Sequence, residues 1–542
     1  MTAPPFRQLG EIFAPLDHIL ASGGDARLHI DPITGLNGYG CRPYPRPDAS
    51  TFASSTATSI SERAYACAEA EHHDLIRAGL RQGFETAVDD RFEQLRDELR
   101  TVLDLADSGI EIVFSPSGTD STLQALLVAR AMLGTPLTSV IAAADETGSG
   151  VGDAASGRHF SALTSQAVIV KRGDPIQGLA EGVRRIAIPL RDERGHARPP
   201  GVMDEQVKRA VAAAAAAGER ILLHAMDHSK LAAQCPSLDC LRAVAAAAPG
   251  AVQIVIDACQ MRISRTRLKR HLAEGHMVLI TGSKFFTGPP FSGALLVPGA
   301  LSQRMAALDV VPAGLADYSS RSDWPRAWQG LRAALPARVA LGQLLRWIAA
   351  LGEMRAYFAV PPSFRSFALA RFATVVPALI AATPNRELLV GRNCGDGRAT
   401  DDEEMASPTI FPFRLRRAGR VLSLEEARLV YRALNADVTA MLPAAATAAD
   451  RRLAAQLCHI GQPVGLADPP RGTSGALRIS AGARFVSESW SPAGESVAMA
   501  NLDGEFAQIR AILAKIDLLL RHFEALGRWD ARRTERKVAR AG

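Results

Sequence analysis

Two periodicities divide this chain. Beyond about Ala106, short apolar runs alternate with alanine-rich stretches of helical spacing. The runs are EIVFS (111–115), TSVIAAA (138–144), QAVIVK (166–171), RRIAIPL (184–190), RILLHAM (220–226), VQIVIDA (252–258), MVLITG (277–282) and GALLVP (293–298). They are continuous rather than alternating, as strands buried on both faces read, and parallel strands need the crossovers that lie between them. The pattern predicts an α/β fold whose large domain is a mostly parallel sheet flanked by helices.

Helical spacing also runs from about Glu62 to Ala106, whereas residues 1–61 are rich in Gly, Pro, Ser and Thr and predict an irregular arm. After Gly299, the stripe Val339, Leu344, Leu345, Ile348, Leu351 marks a helix that bridges to a smaller α+β domain. Ile509, Ile512, Leu513, Ile516, Leu519, Leu520 and Phe523 mark a last packed helix. The expected division is an arm over 1–61, a large domain over 62–335, the bridging helix and small C-terminal domain over 336–526, and a disordered basic tail over 527–542. The acidic, turn-rich segment 392–409 reads as a surface loop.

Composition narrows the classes. A chain of 542 residues at 47% apolar and 22% charged is neither disordered nor a disulfide-stapled miniprotein. The net charge of +6 is small for this length and its surplus sits in the tail, so no nucleic-acid partner is expected. Seven scattered cysteines without C-x-x-C pairs read as a reducing compartment. With neither a signal peptide nor 18 uncharged apolar residues in a row, the expected location is cytoplasmic, with no membrane partner.

Three places carry chemistry. The strand at 111–115 runs into Ser115-Pro116-Ser117-Gly118-Thr119-Asp120-Ser121 and then a helix, a turn whose free N–H groups and hydroxyls suit a phosphate, although Ser, Thr and Asp are also ordinary N-caps. Asp257 ends an apolar strand, where a semi-buried carboxylate needs a partner such as a pyridinium N–H. Lys284, 27 residues on, follows another strand among small residues and aromatics that would desolvate it and favour a nucleophilic amine. An anion turn, a strand-end Asp and a strand-end Lys are together what a pyridoxal phosphate (PLP) enzyme needs.

The order and spacing of these motifs resemble fold type I PLP enzymes, and specifically the class V aminotransferase and cysteine desulfurase family. The resemblance implies that Lys284 is the Schiff-base lysine and that Gly118, Thr119, Asp120, Thr281 and Ser283 surround the phosphate. It also implies that Asp257 meets the ring nitrogen and that Gln260, three residues on, meets the phenolic oxygen. It places Arg478, in Leu477-Arg478-Ile479-Ser480, on a substrate carboxylate, and Asp227-His228-Ser229-Lys230 over one face of the cofactor. Asn37 and Tyr39 of the arm and His459 are further candidates for the substrate side. The implied partners are a small-molecule amino acid and a second copy of the chain.

This sequence departs from the family pattern at three points. Thr147 occupies the position of the aromatic residue that stacks on the ring, leaving His159 as a possible replacement. Ser283 replaces the His before the lysine, and Ile460 stands where a desulfurase has its sulfur-accepting Cys. The expected activity is therefore transamination, with a PLP-dependent lyase as the alternative and a non-catalytic PLP-binding protein third. Gly148-Ser149-Gly150-Val151-Gly152 lacks the third glycine of a dinucleotide fingerprint. His224, His228, His271 and His276 show no ligand spacing, so no metal is expected.

Overall fold

A computed structural model describes residue 10 and residues 12–308, 310–389, 405–468 and 472–541, the side chains of 534–541 excepted. Most of the acidic segment 392–409 lies outside these residues.

Seven strands form the large sheet: β2 (Glu111–Ser115), β3 (Leu137–Ala142), β4 (Val183–Ile188), β5 (Arg220–Met226), β6 (Val252–Asp257), β7 (Met277–Thr281) and β8 (Gly293–Val297). Their order is β2-β8-β7-β6-β5-β3-β4, and only β8 runs against its neighbours. β3, β7 and β8 are buried throughout and β5 after its first residue, which is why their sequences are unbroken apolar runs. The expected run at 166–171 is not a strand. It turns back on itself through Val168 N–H to Thr164 Oγ1, and Ile169 is 87% exposed, with a single bridge to Leu163. Its apolar letters have no sheet edge to join.

Helical spacing before the sheet resolves into two helices, Glu62–Gln82 and Phe84–Val102. They are parted at Gly83, whose φ of 88° an L-residue rarely adopts. The bridging helix is Leu341–Phe358, and it packs on Glu62–Gln82.

The second sheet holds β10 (Ile410–Arg417), β11 (Arg420–Val421), β12 (Leu457–Ala467) and β13 (Thr473–Ser480), with β9 (Arg386–Leu388) on β10. Its edge is supplied by the arm. β1 (Ala49–Phe52) pairs in parallel with β12, so the irregular segment carries one strand of the small domain's sheet. Past β1, Ala53 bridges to Ser480 and residues 55–57 pass on into the space between the two sheets.

Two C-terminal expectations differ from the structure. The last packed helix is Glu495–Arg521, and the basic tail continues as the helix Phe523–Ala541. Leu526 is fully buried, Trp529 packs on the core and Asp530 pairs with Arg432 at 2.7 Å, so this segment keeps an anchored face beneath its charges. The helix Pro362–Ala381 is long and apolar enough by length and hydropathy to cross a membrane. Here Phe364, Leu369, Phe372, Val376 and Ile380 of one stripe are core.

Candidate active site

The C-terminal ends of β3, β5, β6 and β7 and the helix after β2 open on one cavity of about 770 Å³, closed on its far side by the arm, β12 and β13. A crevice beyond the carboxyl ends of parallel strands is where an α/β sheet offers its loops and helix N-termini to a ligand. Gly118, Thr119, Thr147, Asp257, Gln260, Thr281, Ser283, Lys284, Arg478 and Tyr39 all line it. Asp120, Asn37 and His459 do not.

The anion end is the start of helix Gly118–Leu133. Ser117 caps it, and among the described residues the N–H groups of Gly118 and Thr119 have no protein acceptor. A Cβ on Gly118 would lie 2.5 Å from Cys259 Sγ, so only glycine lets the turn approach β6 this closely. Gly150 also passes close over Thr119, where an added Cβ would lie 3.1 Å from its side chain, whereas at Gly148 one would make ordinary contact at 3.5 Å. Ser283 also lines this space, whereas the Thr281 hydroxyl donates to Cys259 O at 2.7 Å. Asp120 turns away. Its carboxylate accepts from Ser117 Oγ, and burial pushes its pKa up to about 7. It is part of the cap, not of the cavity wall.

Asp257 ends β6 and accepts from Thr147 Oγ1 at 3.3 Å and from Cys259 N–H at 3.1 Å. Among the described residues no Lys, Arg or His pairs with it, and burial raises its pKa. It is a carboxylate in a cavity wall without a cation. The Lys284 ammonium donates to Thr56 O at 3.0 Å, and burial, reinforced by Arg478 and Lys230, depresses its pKa to about 7. A substantial share of it is therefore free amine at neutral pH, unlike an ordinary lysine.

Two expected contacts are differently disposed. Gln260 gives Nε2–H to Ser55 O at 3.0 Å and takes Arg262 Nη1–H on Oε1 at 2.8 Å. Arg478 was expected to present an open fork. Instead its four terminal N–H groups meet Ser55 O at 3.2 Å, Lys230 O at 3.3 Å, Thr56 Oγ1 at 2.8 Å and Gln462 O at 2.8 Å. Its Nε, unpartnered, lies against Gly461. The guanidinium ties the arm, the loop after β5 and β12 together, and burial lowers its pKa to about 10.

On the arm, Asn37 is a positioning residue: its Oδ1 accepts from the N–H groups of Tyr39 and Cys41 and fixes the turn that carries Tyr39 into the cavity. Burial raises the pKa of Tyr39, so its phenol keeps its proton. His459 lies behind it, with Nε2 3.0 Å from Tyr39 O, and burial holds it neutral with a pKa of about 4. His159 does not reach the cavity either. It stacks on Tyr318, with Nδ1 2.8 Å from the phenol. The aromatic groups in the cavity wall are Tyr39, Phe291 and His228, and His228 is held by Asp227 at 2.7 Å. Ile460 and Cys458 are buried in β12 off the cavity, and Cys259 is the cysteine in its lining among the described residues. Burial and Asp257 push that thiol well up, which keeps it protonated.

Arg27, Thr56 and Phe291 were not found from sequence. Thr56 reaches Lys284 across 228 positions, a separation that leaves no local signal. Away from the cavity, His271, Glu274 and His276 come within 4.8 Å of one another despite lacking ligand spacing in sequence. The two imidazoles meet at 3.2 Å, and Glu274 is taken by Arg242 at 2.9 Å.

No protein-family model matches this chain, and no curated protein matches it. Solved structures of similar fold include Oryza sativa TDC with PLP and tryptamine, 15% identical over 95% of this chain and 93% of that one, with a TM-score of 0.49. Catharanthus roseus tryptophan decarboxylase in complex with L-tryptophan is 16% identical over 93% and 89%, with a TM-score of 0.47. The glutamate decarboxylase domain of diaminobutyrate-pyruvate transaminase and L-2,4-diaminobutyrate decarboxylase from Vibrio parahaemolyticus is 16% identical over 87% and 80%, with a TM-score of 0.46. Likeness at this level carries no residue roles across.

Proposed function

We propose that this chain is a PLP-dependent enzyme acting on an α-amino acid, with Lys284 as the residue that takes the cofactor. The observation that carries the reading is a desolvated lysine, a carboxylate without a cationic partner among the described residues and a helix N-terminus with unclaimed N–H groups, all facing one cavity. Each matches one part of the cofactor. Gly118 and Thr119 N–H and the Thr119 and Ser283 hydroxyls would hold the phosphate. Asp257, aligned by Thr147 and Cys259 N–H, would receive the protonated ring nitrogen, a cation that reverses the upward shift burial gives it. When bound, PLP supplies an electron sink for negative charge at the substrate α-carbon.

The chain's own groups then move the protons. With a substrate bound, Lys284 would serve as the base at the α-carbon, and Thr56 O, its present acceptor, holds the amine in the cavity wall. Transamination needs that base alone. The cavity offers a second proton carrier, however. Tyr39, held by the Asn37 turn beside Arg27, lines the same cavity as Lys284 with its phenol protonated. A second proton donor would serve to protonate the α-carbon after loss of a carboxylate, or to assist a departing side-chain group, so we take a lyase as the first reading and transamination as the second. Persulfide chemistry is disfavoured because Cys259 is held as a thiol.

A panel of amino acids without added keto acid separates the two. Sustained release of carbon dioxide, ammonia or a side-chain fragment with the initial cofactor spectrum restored supports the lyase. Stoichiometric conversion to pyridoxamine phosphate, with no further turnover, supports the aminotransferase.

A further inference from the structure

We propose that Lys230, not Arg478, holds the substrate carboxylate, an inference that rests on the amino-acid reading above. Six cationic side chains line the cavity: Arg27, Arg185, Lys230, Lys284, Arg428 and Arg478. Three are already paired with carboxylates, Arg27 with Asp25 at 2.6 Å, Arg185 with Asp153 at 3.2 Å, a carboxylate that Arg172 shares at 3.1 Å, and Arg428 with Glu425. Arg478 spends its terminal donors on four protein oxygens. Lys284 is reserved for the cofactor.

Lys230 is what remains. Among the described residues its ammonium makes no ion pair and no hydrogen bond, and the residue is half-buried and lines the cavity. Its backbone is anchored at both polar atoms: N–H donates to Glu146 O and C=O accepts from Arg478 Nη1, each at 3.3 Å. The neighbouring carboxylate that would otherwise claim it, Glu146, is held by Arg191 at 2.6 Å and by Ser229. A partly desolvated ammonium, fixed at its root in a cavity wall and without a counter-ion among the described residues, favours an anionic ligand. Burial together with Arg478 and Arg27 depresses its pKa to about 8, so it stays charged at neutral pH and gains most from a carboxylate. Arg478 is then a positioning residue, whose hold on Lys230 O and Thr56 Oγ1 sets the spacing between the carboxylate site and Lys284.

The test uses the PLP-loaded protein with propionate as the carboxylate probe and propionamide as its uncharged match, binding followed by calorimetry. Lys230→Met should weaken propionate about tenfold or more and leave propionamide within about twofold. Lys230→Arg should keep propionate within about threefold of the unaltered protein. Lys230→Gln, which retains polarity without charge, repeats the loss and covers a Met variant that misfolds. Propionate binding that is absent in the unaltered protein, unchanged by loss of the charge, or lost equally with propionamide overturns the proposal. A protein that fails to take PLP on Lys284 defeats the earlier reading instead, and the same titration on the apo protein then still decides the role of Lys230.

Discussion

Replacing Lys284 by Met should stabilise the apo protein, and by an amount that depends on pH. Burial pushes this amine from its ordinary 10.5 down to about 7, with Arg478 and Lys230 adding to the shift and Cys259 and Asp257 opposing it. A depression of that size corresponds to about 5 kcal/mol as a ceiling, and water in the cavity reduces it to about 2 kcal/mol. Below pH 7 the amine is charged both folded and unfolded, so the fold bears the whole cost. Between about 7 and 10.5 the unfolded chain binds a proton that the folded one does not, so stability rises with pH; above that window the cost is gone. The Met variant lacks this dependence. Urea midpoints of the two apo proteins, compared as midpoints because a chain of this size need not unfold in one step, should differ by roughly a few tenths of a molar near pH 6, the Met variant's being the higher. They should converge near pH 10. A Met variant less stable than the parent at pH 6, or a gap of equal size at both pH values, would show that Lys284 is not a desolvated amine.

Other consequences are independent of that one. Asp257→Asn removes the charge that a ring-nitrogen proton needs while keeping the Thr147 contact, so kcat should fall about a hundredfold or more with PLP retained; near-normal turnover contradicts the assignment. Gly118→Ala puts a methyl 2.5 Å from Cys259 Sγ and should raise the Kd for PLP about tenfold, measured by dialysis and absorbance, whereas an unchanged Kd removes the turn from the cofactor site. Sedimentation of the active protein should give a homodimer, and a monomer that turns over substrate would contradict the partner the resemblance implies.

Much of this site is legible in the sequence because strand-end residues are local signals. An apolar run followed by Asp257 or by Thr281-Gly282-Ser283-Lys284 fixes both the strand and the place where its last side chains emerge. What escapes is long-range. Arg478 was legible through the resemblance as the arginine near the C-terminus, but its donors are claimed by Ser55, Thr56, Lys230 and Gln462, and only the fold shows that the fork is closed. His459 has the chemistry of an acid but lies one layer behind Tyr39, where burial holds it neutral. The run at 166–171 has strand letters without a partner edge, and the tail has charge enough for disorder yet keeps Leu526 and Trp529 as anchors. In each case composition was read correctly and the neighbour was not in the window.

Borohydride reduction of the PLP-loaded protein, followed by peptide mapping, tests the central claim most directly. A pyridoxyl group on Lys284 alone, lost in Lys284→Met, is the expected result. A pyridoxyl group on Lys230 or another lysine, or none anywhere, contradicts the account.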